Sequence, residues 1–250
     1  MAEGTGPASP VTRPRPERKI YTATLERIEE LSPTVRSFFL KLPPDAGFHF
    51  RAGQFISIRL DKGELEIRKP YSIASSPVDP GVLELCIKRV EGGYVSNRFF
   101  SLARGATIRF DGPDGVFYLR DPVGPELYFI GTGTGIAPLR SMILWLFSQD
   151  TPKKVTLLFG VRKENEILYN HDFLEIAARR PNFRYLPVVS RPEAWKGRTG
   201  HVQDQIEGLI ANPAGEEFFL CGLPSMVDAV REKLKGMGYK RQQIHFEKYV

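Results

Sequence analysis

From residue 19 to about residue 120, apolar and polar positions alternate in short runs broken by turn residues. The runs are 20–27 (IYTATLER), 34–42 (TVRSFFLKL), 54–60 (QFISIRL), 82–90 (VLELCIKRV) and 106–110 (ATIRF). In the fourth, Leu83, Leu85 and Ile87 alternate with Glu84, Cys86 and Lys88, the period of a half-buried antiparallel strand. One segment, 96–104 (SNRFFSLAR), has helical character and ends at Gly105. Many short strands with a single helix predict a small antiparallel β-barrel.

The pattern changes near Asp121–Pro125. Apolar runs at 127–130, 155–159, 183–189, 217–221 and 243–247 now alternate with helical patterns near 138–148, 166–179, 201–211 and 224–236. This alternation predicts a five-stranded parallel sheet covered by helices on both faces. Residues 1–18, rich in Pro and Gly and nearly free of large apolar side chains, read as a disordered tail. The expected organisation is therefore a tail (1–18), a β-barrel domain (19–122) and an α/β domain (123–250).

Composition adds exclusions. The 250 residues are 42% hydrophobic and 26% charged, as in ordinary globular proteins. No apolar run approaches the roughly 18 residues of a membrane span, and no apolar leader opens the chain, so a cytoplasmic protein away from membranes is expected. The two cysteines, Cys86 and Cys221, cannot supply a four-cysteine iron–sulfur or zinc site, and no metal ligands are assigned. The net charge of +6 suits steering of an acidic protein partner. Without a dense basic stripe interleaved with aromatics, nucleic acid is not an expected partner.

The most informative local motif is Gly131-Thr132-Gly133-Thr134-Gly135-Ile136-Ala137-Pro138, directly after the apolar run 127–130 and before the apolar helix 139–147. Glycines at alternate positions let a chain turn tightly and let a pyrophosphate approach main-chain N–H groups at a helix N-terminus. Pro138 is tolerated in a first helical turn. The spacing is not GxGxxG, which points away from the Rossmann dinucleotide fold.

Taken with this loop, the chain resembles the ferredoxin–NADP reductase superfamily of flavoproteins across nearly its whole length beyond the tail. Lys69-Pro70-Tyr71-Ser72 resembles that family's RxYS/T flavin signature, which implies a basic contact to the flavin phosphate, Tyr71 packed on the isoalloxazine and Ser72 near flavin N5. Lys69 stands where the family usually has Arg, with Arg68 just before it, so either cation could make the contact. Gly92-Gly93-Tyr94-Val95-Ser96-Asn97 is similar to the family's GxxS element, with Gly93 clearing room and Ser96 expected to cap a short helix. Gly160-Val161-Arg162, Cys221-Gly222-Leu223-Pro224-Ser225-Met226 (a CGxPxM element) and the ending Phe246-Glu247-Lys248-Tyr249-Val250 follow in the family's order.

The resemblance implies a flavin-dependent oxidoreductase, with FAD as the family's usual flavin. Hydride would pass between a nicotinamide nucleotide and flavin N5, and electrons would then pass to a ferredoxin or flavodoxin. It implies Ser72, Cys221 and Glu247 around the reacting atoms and Tyr249 flanking the ring. Ser190-Arg191, with Arg198 nearby, favours NADPH over NADH, because an arginine can pair with a 2′-phosphate. Alternatives are a reductase component of an oxygenase, a free-flavin reductase, or a non-catalytic nucleotide-sensing subunit of the same fold.

Overall fold

The computed structural model describes residues 18–79, 81–120, 123–210 and 215–249. The expected tail, apart from Arg18, lies outside the described residues.

The first sheet comprises β1 (Ile20–Ser32), β2 (Val35–Lys41), β3 (Phe55–Lys62), β4 (Leu65–Ser72), β5 (Val82–Lys88) and β6 (Thr107–Asp114), with the short helix α1 (Tyr94–Phe100) between the last two. Its order is β4-β3-β6-β1-β2-β5, and every pairing is antiparallel. The two edges meet where Ile73 bridges Leu85 and the Ala74 N–H donates to the Glu84 carbonyl at 2.8 Å. That contact curls the sheet into a barrel around buried Leu25, Phe38, Ile56, Ile58, Leu83, Leu85, Phe99 and Phe110. Burying such a side chain contributes about 1.5–3 kcal/mol each.

Strand β4 had no counterpart among the apolar runs. Four of its eight residues are charged or proline (Glu66, Arg68, Lys69 and Pro70), and Pro70 sits opposite Ser57 in β3. An edge strand tolerates a residue without an N–H, so position in the sheet rather than pattern defines it.

The second sheet is parallel, in the order β10-β9-β8-β7-β11-β12. Its strands are β7 (Glu126–Thr132), β8 (Lys154–Val161), β9 (Phe183–Val189), β10 (Arg198–Thr199), β11 (Glu217–Gly222) and β12 (Ile244–Lys248). The count is six, not five. The additional β10 is two exposed residues pairing with the end of β9, too short and polar to leave an apolar run.

Helices α2 (Ile136–Ser148) and α3 (Asn170–Arg179) cover one face, while α4 (Val202–Gln205) and α5 (Pro224–Gly236) cover the other. In β7, Leu127 and Phe129 enter the first core and Tyr128 and Ile130 the second. Burial on both faces explains the uninterrupted apolar run. Helix α3 starts four residues later than expected because Tyr169 turns left-handed at φ +56° after a 3-10 turn at Glu164–Glu166. Helix α4 stops at Gln205 rather than continuing to 211; Leu209 and Ile210 instead turn back onto the Ile206 carbonyl.

Chain order starts at β7, runs outward through β8 to β10 on one side and returns to β11 and β12 on the other. Such a reversal opens a crevice at the carboxyl ends of the strands.

Candidate active site at the domain junction

The glycine loop leaves β7 at that crevice. Gly133 adopts φ +54°, a conformation costly for other residues, and a Cβ there would meet open space. At Gly135 a Cβ would overlap the main chain of Cys221 and Gly222, so only glycine lets the two strand ends close together. The Leu223 N–H donates to Thr132 Oγ1 at 3.3 Å, tying the two loops. Pro138 lies buried in the first turn of α2. Together these features place Thr132, Gly133 and Thr134 on the wall of a cleft of about 470 Å³.

The cleft gathers many of the residues singled out from sequence: Thr132, Gly133, Thr134, Arg162, Ser190, Arg191, Gly222, Met226 and Tyr249 all line it. Neither the Arg162 nor the Arg191 guanidinium makes an ion pair among the described residues. Glu193, the carboxylate nearest in sequence to Arg191, binds Lys163 Nζ at 2.6 Å instead. Arg198 does not line the cleft; its guanidinium donates to Gln205 Oε1 at 3.0 Å. Pro224 starts α5 just behind the wall.

The opposite wall comes from the barrel, through Ser32, Thr34, Val35 and Lys88. Sequence reasoning missed these residues. Their only local signal is a turn after β1 and a lysine ending β5, and neither announces that a second domain will face it.

Behind the cleft, residues distant in sequence converge. Tyr249 Oη donates to Ser72 Oγ at 2.6 Å, and Ser72 Oγ donates to Glu247 Oε1 at 3.4 Å. Parallel pairing places Gly131, Cys221 and Glu247 side by side on β7, β11 and β12. Burial raises the pKa of the Glu247 carboxyl, with the Ser72 hydrogen bond opposing. Burial also pushes the Cys221 thiol well above its usual range, and the Glu247 charge adds to this, so it stays a thiol. The Tyr249 phenol is raised by burial as well and acts as a donor.

On the barrel, Tyr71 packs half-buried against the core, its ring 6.0 Å from Phe99 of α1. Burial raises the Tyr71 phenol to about 12. The two cations left open by sequence have different surroundings. Arg68 Nε donates to Asp111 Oδ2 at 3.0 Å, and Asp111, fully buried, also binds Arg59 and Arg18. Lys69 alternates to the Tyr71 side of β4 and has no ion-pair partner among the described residues. Ser96 does not cap α1. The helix starts earlier, with extended Gly93 as its N-cap ahead of Tyr94, and the buried Ser96 Oγ accepts the Val90 N–H at 3.1 Å. Val95 is buried beside it, and the Tyr94 hydroxyl donates outward to the Asp61 carbonyl at 2.8 Å.

A buried seam fastens the two half-sites. Arg140 of α2 binds Glu84 of β5 at 2.7 Å and Asp172 of α3 at 2.6 Å, and donates to the Ala74 carbonyl at 2.9 Å. Ser141 donates to the Ser75 carbonyl at 2.6 Å. Ser37 donates to Glu84 at 2.5 Å and pairs with the Tyr169 hydroxyl at 2.8 Å. The helix after the glycine loop therefore grips the segment that follows Ser72.

Comparison with known proteins agrees with this arrangement. Residues 22–118 match the oxidoreductase FAD-binding domain and residues 129–232 the oxidoreductase NAD-binding domain. The chain is 36% identical over 238 residues to ferredoxin–NADP reductase B of Sorangium cellulosum, covering 92% of this chain and 97% of that protein. It is 34% identical to the phenol hydroxylase P5 protein of Acinetobacter pittii, spanning 92% of this chain and 65% of that one. A ferredoxin NADP+ reductase from Neisseria gonorrhoeae, solved with bound FAD and NADP, superposes with a TM-score of 0.83 at 25% identity, covering 93% of this chain and 99% of that one. The open cradle at Gly133, the unpaired Lys69 and the cleft at the strand ends suit a flavin and a nicotinamide nucleotide meeting at the domain junction. The chain belongs to the ferredoxin reductase-like flavoprotein superfamily and is an oxidoreductase with FAD-binding and NAD(P)-binding domains.

Proposed function

We propose that this enzyme takes hydride from NADPH and hands electrons singly to a separate acidic carrier, a ferredoxin or flavodoxin. FAD, when bound, supplies the chemistry, accepting a hydride and releasing single electrons. The chain's own part is positional. Lys69 meets the flavin phosphate while Arg68 stays committed to Asp111, Tyr71 packs on the flavin ring, and the Gly93–Ser96 segment closes beside it. The glycine loop receives the nucleotide pyrophosphate. Ser72, Cys221 and Glu247 surround the point where nicotinamide and flavin meet, and burial raises the proton affinity of Glu247 there. The single observation that carries this reading is the Tyr249–Ser72–Glu247 hydrogen-bond chain, with Cys221 paired beside Glu247, because it joins residues of both half-sites at one spot.

The preference for NADPH is supported by unpaired Arg162 and Arg191 on the cleft wall and by Glu193 being occupied with Lys163. The test is reduction of a ferredoxin with each nucleotide. NADPH should give the higher kcat/KM, and Arg191→Ala should lower it about tenfold while sparing NADH. An unchanged preference in Arg191→Ala refutes the assignment. Turnover should also fall as salt rises, and a salt-indifferent rate refutes electrostatic docking. A second reading, an oxygenase reductase component, is favoured by the likeness to the phenol hydroxylase P5 protein and by a TM-score of 0.84 at 31% identity to an Amycolatopsis cytochrome P450 reductase.

A further inference from the structure

We propose that Glu164 is a positioning residue for nucleotide choice: it folds residues 191–195 into the shape that sets Arg191 beside Arg162 on the cleft wall. The inference rests on the reading of that wall as the 2′-phosphate end of an NADPH site.

One carboxylate oxygen, Glu164 Oε1, accepts three consecutive main-chain N–H groups: Glu193 at 2.7 Å, Ala194 at 2.9 Å and Trp195 at 2.8 Å. Successive N–H groups converging on one anion form a nest, and hydrogen bonds to an ionised acceptor are roughly twice as strong as neutral ones. The hydrogen bonds accepted from its own backbone N–H and those of Ala194 and Glu193 hold the Glu164 carboxyl down at about 2. The anchor is therefore charged throughout the physiological range.

The loop has few other anchors. Ser190 and Arg191 donate to the Val161 and Arg162 carbonyls at 3.0 and 2.8 Å, and Pro192 has no N–H to offer. Beyond Trp195, the indole N–H reaches the Arg198 carbonyl at 2.9 Å. Between these ends, among the described residues, Glu164 alone gathers the main chain. Its neighbour Glu166 accepts the Arg162 and Lys163 N–H groups, both at 3.2 Å, and Lys163 draws Glu193 aside. Thus three carboxylates are used in folding the wall or are neutralised, and two guanidiniums remain free to meet an anion. Without Glu164, three N–H groups lose their acceptor; the Arg191 N–H still ties its own main chain to the Arg162 carbonyl, but the course of residues 193–195, which holds the Arg191 side chain against the wall, is released.

The test is binding of adenosine 2′,5′-bisphosphate and adenosine 5′-monophosphate to the flavin-loaded full chain, by calorimetry, in wild type, Glu164→Ala and Glu164→Gln. Wild type should favour the bisphosphate. Glu164→Ala should weaken the bisphosphate about tenfold and the monophosphate less than about twofold. Glu164→Gln, whose amide oxygen still accepts, should recover most of the loss. Should Glu164→Ala fail to fold, Glu164→Asp serves the same comparison with an intermediate loss expected. Bisphosphate binding unchanged in the variants, or an equal loss for both ligands, overturns the proposal while leaving the NADPH reading standing. A wild type that does not distinguish the two ligands overturns that reading and this proposal with it.

Discussion

The seam between the domains and the outer wall of the cleft use the same kinds of side chain in opposite ways. At the seam, Arg140 is 13% exposed and Glu84 4%, and the polar partners of both are supplied from both domains. On the wall, Arg162 and Arg191 are exposed and unpaired among the described residues, while the carboxylates around them are engaged with main chain or lysine. A charge whose partners are all internal contributes to one fixed geometry. A charge without a partner waits for a ligand.

The difference gives the largest expected effect to the seam. Arg140→Ala leaves the buried Glu84 carboxylate with only the Ser37 hydroxyl as a partner among the described residues, and should cost about 3–5 kcal/mol of stability in denaturant unfolding. Replacing both Arg140 and Glu84 by methionine should cost clearly less, because no unpaired charge remains. By contrast, Arg162→Ala should change stability by less than about 0.5 kcal/mol and weaken nucleotide binding instead. If Arg162→Ala proved as destabilising as Arg140→Ala, the division of labour would be wrong.

A smaller effect lies between the two regions, at Glu247. Its folded pKa is raised above the ordinary value, chiefly by burial, so the folded state prefers its protonated form. That contribution is full below the unfolded value of about 4.3 and is lost as pH rises through the folded value. Glu247→Gln should therefore gain stability relative to wild type as pH climbs from about 4 toward neutrality. A difference that stays flat with pH would place the Glu247 carboxyl in water.

The same contrast explains what the sequence reveals. The barrel, the parallel sheet and the glycine loop announce themselves through period, alternation and turn chemistry, because these are local consequences of burial on one face or two. The fully apolar run at 127–130 reads as a strand covered on both sides because it opens the β–α alternation. Strand β4 was hidden because an edge strand ending at the flavin motif carries Arg68, Lys69 and Pro70 where a pattern would want β-branched residues. The roles of Ser72, Cys221 and Glu247 were approached only through resemblance. Their convergence depends on β12 pairing with β11 and on β4 meeting the second domain, where Ser72 and Glu247 touch across 175 residues of chain. Glu164 and Arg140 carry no local mark at all. Each looks like an ordinary charge until the loop or domain it holds is seen.

The most direct measurement is an anaerobic titration of the purified chain, following flavin absorbance as nucleotide is added. If the two half-sites meet as the Tyr249–Ser72–Glu247 chain implies, the protein is yellow. One equivalent of NADPH should then bleach it within the mixing time, with NADH slower and Ser72→Ala slowed at unchanged flavin content. A protein that binds no flavin, or a flavin that NADPH and NADH leave oxidised, would contradict the assignment of the domain junction as the site of hydride transfer.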